Sequence, residues 1–152
     1  MENLERLLRE HHFLEGLSPE HIAFLVGCVK NERYHAGTYL FHEGETADEL
    51  LLIRKGSIGL EVHVPGKGPI VMETLGPGDI AGFSWLFEPH RTHLDGRARD
   101  EVVALVFDGE CLRRKMESDP VLGYALAKRL LRHVYRRLER VRVQRLDIYR
   151  AD

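Results

Sequence analysis

The sequence predicts an α+β chain: a β-roll or jelly roll preceded by N-terminal helices and followed by a long C-terminal helix. Three observations carry this. Glycines recur through the middle of the chain with short apolar segments between them, an apolar seam repeats every three to four residues at the end, and positive charge is concentrated on that last segment. The chain has 152 residues, of which 43% are hydrophobic and 30% charged, with a formal net charge of −2. That length fits one domain with a substantial core, and the composition excludes collagen-like, disordered and disulfide-scaffold classes.

Leu4, Leu7 and Leu8 suggest a short opening helix. Leu17-Ser18-Pro19 reads as a second helix start, with Ser18 as N-cap and Pro19 in the first turn. Ile22, Leu25, Val26 and Val29 give that helix one apolar face and predict its end near 28–30. Gly37, Gly44, Gly56, Gly59, Gly66, Gly68, Gly76, Gly78 and Gly82 then punctuate short strand-like segments at 38–42, 49–54, 57–64 and 70–75, with another at 102–107. Strands at this spacing, separated by turn glycines, indicate a closed roll or sandwich, and no helical repeat survives the glycines. Asp108-Gly109 leads into a short helix, and Asp119-Pro120 caps the long one, about 121–149. The domain division is therefore 1–30 for the N-terminal helices, 31–108 for the roll and 109–152 for the C-terminal helices.

The terminal helix carries Tyr124, Ala127, Leu131, Val134, Leu138, Val141, Arg145 and Ile148 at alternating steps of three and four. That is a heptad seam, and Leu131, Val134, Leu138 and Val141 predict a homodimer interface. From Lys128 onward nine Lys and Arg stand against three Asp and Glu, a surplus of six, so the remainder carries about −8. No apolar run is long enough to span a membrane, and the N-terminus lacks the order of a signal peptide. Cys28 and Cys111 lie far apart without a C-x-x-C spacing, which suits a reducing cytoplasm. No nucleophile elbow, P-loop or paired-carboxylate motif is present, so an enzyme is not expected. His90 and His93 have an H-x-x-H spacing that His35, His42 and Asp95 could join, and a cupin-like metal site there is a third, weaker reading because a loop spacing alone supplies neither a third ligand nor its supporting partners.

The residues Ala36-Gly37-Thr38-Tyr39-Leu40-Phe41 with Glu43-Gly44-Glu45, then Asp48 to Ile58, then Leu75-Gly76-Pro77-Gly78-Asp79-Ile80-Ala81-Gly82, form three glycine groups in order. Together they resemble the cyclic nucleotide-binding domain, the sensor half of catabolite-activator-type regulators, kinase regulatory subunits and nucleotide-gated channels. The resemblance covers roughly 17–141. It implies a cassette in which Gly82 and the short helix Ser84-Trp85-Leu86-Phe87 present backbone N–H groups to a phosphate. Arg91 fits the cassette's phosphate arginine and Thr92 the small residue after it. Phe83 occupies the position of the glutamate that accepts the ribose hydroxyl in the family. Losing that bond costs ~1–3 kcal/mol, roughly a 10- to 200-fold drop in affinity for an ordinary cyclic nucleotide. Glu88 could supply a carboxylate from elsewhere in the loop. The run Gly82 to Ala98 resembles a variant cassette of small stand-alone bacterial members, which implies that Asp95 and Arg97 belong to an altered pocket or to a neighbouring strand.

The expectation is thus a cytoplasmic sensor with no resident cofactor, binding a small anionic, nucleotide-like ligand at Gly82, Phe83, Ser84, Trp85, Arg91 and Thr92. Phe83 and Trp85 shape the pocket, and the dimer helix passes the signal to an unknown protein partner. The resemblance also leads one to expect no direct DNA binding, since no helix-turn-helix module follows the seam. A ligand-free scaffold of the same fold is the competing expectation. It predicts a pocket plugged by Phe83, by Trp85 or by a salt bridge of Arg91.

Overall fold

The computed structural model describes residues 3–150. The chain begins with α1 (Leu4–Glu10) and, after a 3-10 turn at His12–Leu14, α2 (Pro19–Leu25). Eight strands follow: β1 (Val29–Tyr34), β2 (Tyr39–Phe41), β3 (Glu49–Lys55), β4 (Ile58–Val64), β5 (Gly68–Leu75), β6 (Ile80–Ala81), β7 (Asp95–Ala98) and β8 (Val102–Asp108). The chain then forms α3 (Gly109–Ser118) and α4 (Pro120–Arg150). The strands make two antiparallel four-stranded sheets, ordered β1-β8-β3-β6 and β2-β7-β4-β5.

Strand alternation explains how one sheet serves two cores. Leu50 and Leu52 of β3, with Leu105 and Phe107 of β8, pack outward on Leu8, Phe13, Ile22, Leu112, Leu122 and Leu126 from the helices. Leu51 and Ile53, with Ala104 and Val106, face inward on Ile58, Leu60 and Leu75 of the second sheet. Both faces of β3 are buried, hence its unbroken apolar run.

The caps fall where the residue types place them. The Ser18 hydroxyl accepts from the His21 amide at 3.2 Å, the Asp108 carboxylate from the Cys111 amide at 2.9 Å and the Asp119 carboxylate from the Leu122 amide at 3.2 Å. The second helix ends earlier than its apolar face suggests. After Leu25 the backbone tightens into a 3-10 turn at Val26–Cys28, and Val29 already belongs to β1. β1 carries little strand signal because its Lys30-Asn31-Glu32-Arg33 stretch is polar, yet it pairs with β8 from Val29 opposite Phe107 to Tyr34 opposite Val102. β7 has no large apolar residue either. Gly96 and Ala98 are its buried positions, and it lies between β2 and β4.

The cysteines correct the expectation drawn from their spacing. Cys28 and Cys111, 83 residues apart in sequence, form a disulfide with Cα atoms 5.7 Å apart. It ties the end of the N-terminal helical segment to α3, so cysteine usage gives no support for a reducing compartment. Among the described residues no helix is long and apolar enough to cross a membrane.

Candidate functional site

A cavity of about 170 Å³ opens between the inner faces of the two sheets. Its walls come from Phe41 of β2, the 45–48 turn, Glu49 and Leu51 of β3, Leu60 of β4, the Gly82-Phe83-Ser84 turn, Thr92 to Leu94, and Arg137 of α4. Gly82 has φ +95°, and a Cβ there would stand 2.6 Å from the Glu49 carbonyl. Only glycine lets the turn press this closely on β3. The 3-10 turn Ser84–Leu86 begins directly after Phe83.

Four of the six residues expected to bind ligand line this cavity: Gly82, Phe83, Ser84 and Thr92. Two do not. Trp85 is fully buried in the helix-side core, its indole N–H donating to the Gly82 carbonyl at 2.9 Å, so it holds the turn from behind. Arg91 is exposed and lies across the neighbouring turn, donating at 3.4 Å to the Gly44 carbonyl and at 3.3 Å to the Thr46 hydroxyl. The β-bridge between Thr46 and Arg91 sets this direction, because it aligns the arginine along the rim. Arg91 thus stands at the rim, one residue removed from the cavity through Thr46, which lines it. No plug forms from Arg91, since its contacts are to a carbonyl and a hydroxyl. The Thr92 hydroxyl donates to the His42 carbonyl, which spends it on loop closure.

The cation at the cavity is Arg137, which sequence reasoning missed. It donates from Nε to both Glu73 carboxylate oxygens, at 3.0 and 3.2 Å, and from Nη2 at 3.0 Å. Its guanidinium also sits 5.3 Å from the centre of the Phe83 ring. The aromatic in place of the family glutamate thus faces a cation from the terminal helix. The opposite wall is acidic, with Glu45, Asp48 and Glu49. Glu49 shares the inner face of β3 with Leu51, two residues on. Burial raises its pKa above the usual carboxylate range, and burial followed by the charges of Glu49 and Glu32 pushes the Tyr34 hydroxyl up to about 12. Glu88 is exposed and lines no part of the cavity.

Asp95 and Arg97 belong to β7 rather than to the cavity wall. The Asp95 carboxylate accepts from the Glu43 amide at 2.7 Å, and Arg97 pairs with the buried Glu61 at 2.8 Å. His93 lines the cavity, whereas the His90 carbonyl accepts from the Ala47 amide. Among the described residues no group of three or more His, Cys, Asp or Glu is placed to hold a metal ion.

The seam residues of α4 are all solvent-exposed: Leu131 by 67%, Val134 by 44%, Leu138 by 45% and Val141 by 50%. The helix buries Leu122, Leu126, Leu130 and His133 instead. A shallow apolar groove of Phe83, Val134, Arg137, Leu138 and Val141 joins the cavity to the seam, with Phe83 and Arg137 lining both.

His133 packs edge-on against Phe13, with ring centroids 5.4 Å apart. Burial, reinforced by Arg136, His12 and His11 against the opposing charge of Asp79, lowers its pKa to about 4. Burial likewise lowers that of His11, whose Nε2 lies 2.8 Å from the Ile53 carbonyl. A depressed histidine binds its proton more readily when unfolded, so its contribution is present above pH ~6.5 and is lost as pH falls toward 4. Urea denaturation at stepped pH is expected to show up to about 3 kcal/mol of this loss from His133. The His133→Leu variant should have a flatter profile over the same window, and equal slopes would contradict the assignment.

Two antiparallel sheets closed on a glycine-headed turn, with Arg137 of a long helix reaching the cavity between them, define a β-roll. Residues 31–119 match the cyclic nucleotide-binding domain family, and the chain belongs to it. It is 26% identical over 149 residues to the CRP-like cAMP-activated global transcriptional regulator of Mycobacterium tuberculosis, covering 98% of this chain and 65% of that protein. A Geobacter metallireducens protein provisionally assigned to cyclic nucleotide binding superposes with a TM-score of 0.79 at 27% identity, covering 91% of this chain and 99% of that one. The N-terminal domain of a Streptomyces coelicolor transcriptional regulator gives 0.69 at 25%, covering 88% and 93%.

Proposed function

We propose that the chain is a non-enzymatic, ligand-sensing regulatory module that binds a small molecule in the roll cavity and reports occupancy through α4. The observation that carries this is the position of Arg137 and Phe83, which stand between the cavity and the exposed seam. The ligand presents one anionic group to the backbone N–H groups of the Gly82-Phe83-Ser84 turn, beside Thr92, and hydrogen-bond donors to the acidic wall of Glu45, Asp48 and Glu49. A nucleotide-like molecule carries both kinds of group. Arg91 and Trp85 hold the rim and the turn rather than the ligand. The cavity of about 170 Å³ is smaller than the ~300–1,000 Å³ of sites for drug-sized ligands. A molecule of that size must displace the Arg137–Phe83 contact on entry, which moves α4. The response passes to a protein partner.

A thermal-shift screen with cyclic mono- and dinucleotides tests this. A ligand at 100 times its dissociation constant adds ~2.7 kcal/mol. The shift should weaken in Glu49→Gln. No shift with any member of the panel favours the ligand-free scaffold, for which the Glu73–Arg137–Phe83 contact is a built-in plug.

The occupant of the seam is a second copy of this chain. Four apolar residues at heptad spacing lie exposed on α4, and each would insert between its counterparts in a parallel pair. Sedimentation equilibrium is expected to give twice the chain mass for the wild type and the single chain mass for Leu131→Asp/Leu138→Asp. A monomeric wild type at high micromolar concentration would remove the dimer.

A further inference from the structure

A second pocket lies on the side of α4 away from the seam. Arg129, Arg132 and Arg136 follow one another by three and four residues, so their side chains share one face. With His12, Glu15 and His133 they line a hollow of about 170 Å³, separate from the roll cavity. It continues into a wider cleft between α4 and the 77–79 turn, which adds Arg140 together with the carboxylates of Asp79 and Glu139.

Positive charge dominates this pocket, three guanidinium groups against the single carboxylate of Glu15. Among the described residues none of these three arginines forms an ion pair, whereas Arg137 and Arg140 on the same helix reach Glu73. The one carboxylate in the wall, Glu15, faces His12 at 3.3 Å. Arg129 is held in place by the Ala125 carbonyl at 3.0 Å and the Glu15 carbonyl at 2.9 Å, so its guanidinium is oriented before anything binds. Burial, and then the charge of Arg132, lower its pKa.

We propose that this pocket is a second binding site, for a phosphate-bearing anion. Guanidinium groups offer paired N–H donors that match phosphate oxygens, and a dianion relieves the repulsion among three of them more fully than a single carboxylate does. The hollow takes one phosphoryl group with a few waters, each with a share of ~30 Å³. The adjoining cleft carries Asp79 and Glu139 beside Arg140, which already reaches Glu73, so a second phosphoryl group rests on Arg136, which lines both hollows. The face is turned away from the seam, so the site stays open in a dimer.

The test uses the full chain, titrated with inorganic phosphate and with pyrophosphate against sodium chloride at matched ionic strength. Calorimetry and the ring proton signals of His133 and His12 report binding. Pyrophosphate is expected to bind more tightly than phosphate and to move both ring signals. Arg132→Gln/Arg136→Gln is expected to weaken pyrophosphate by about tenfold or more. Lys67→Ala, which removes one exposed charge from a distant loop, should leave it unchanged. Unmoved wild-type ring signals overturn the proposal even if the double variant fails to fold. So does equal affinity in the double variant, or binding of polyglutamate at these arginines without binding of pyrophosphate.

Discussion

Reduction of the Cys28–Cys111 bond is expected to lower the stability of the chain by about 4.5 kcal/mol, the chain-entropy figure for a loop of this length. The bridge closes 83 residues of sequence, which include every strand of both sheets. In the unfolded chain such a closure removes a large share of the accessible conformations. In the folded chain it pins Cys28, at the turn into β1, onto α3, which packs against α4. Urea midpoints with and without a phosphine reductant measure the effect. The Cys28→Ala/Cys111→Ala variant should match the reduced wild type and ignore the reductant. A wild-type midpoint that reductant does not move would show that the bond contributes nothing.

Replacement of Trp85 by alanine should cost about 3–5 kcal/mol. The side chain is fully buried, and its Cβ lies so near Gly109 that a methyl group there would stand 2.7 Å away. Its loss opens a cavity between sheet and helices that the rigid β3 and β8 strands cannot fill. The Trp85→Phe variant should cost less in packing, yet it leaves the Gly82 carbonyl without its indole donor, about 1–3 kcal/mol more than shape alone predicts. Denaturant unfolding of both variants ranks these terms. If alanine costs under about 1 kcal/mol, the indole does not anchor the turn.

The strands with strong apolar alternation and the helices with cap residues were legible in the sequence, because burial and backbone chemistry are written locally. Glu49–Lys55, Ile58–Val64 and the Ser18, Asp108 and Asp119 caps fall at the expected places. β1 and β7 were not legible. Their pairing is supplied by β8, β2 and β4, and their own side chains are polar or very small. The cavity was half legible. Gly82 to Ser84 follow from a glycine pattern, and Glu49 could have been placed by counting two residues back from Leu51. Arg137 could not, since nothing in its own neighbourhood shows that Glu73, 64 residues earlier, lies beside it. Arg91 was legible as a cassette position from its spacing to Gly82, but not its contacts at the rim, which follow from a bridge to Thr46. The cysteines misled because sequence distance says nothing about distance in space.

Among the buried residues of α4 the last is His133, and from 134 to 150 every residue except the half-buried Arg137 is exposed. Up to Gln144 this stretch borders the body only along one side, at Glu73, Phe83 and the 77–79 turn, and buries no side chain of its own against them. Most helical stability in a folded protein comes from packing of an amphipathic face, and here that face is largely unpartnered. The outer half of this helix is therefore held mainly by whatever docks along it, and its helical content rises with the concentration of that companion. Far-ultraviolet ellipticity would follow protein dilution, making self-association and local ordering a single equilibrium.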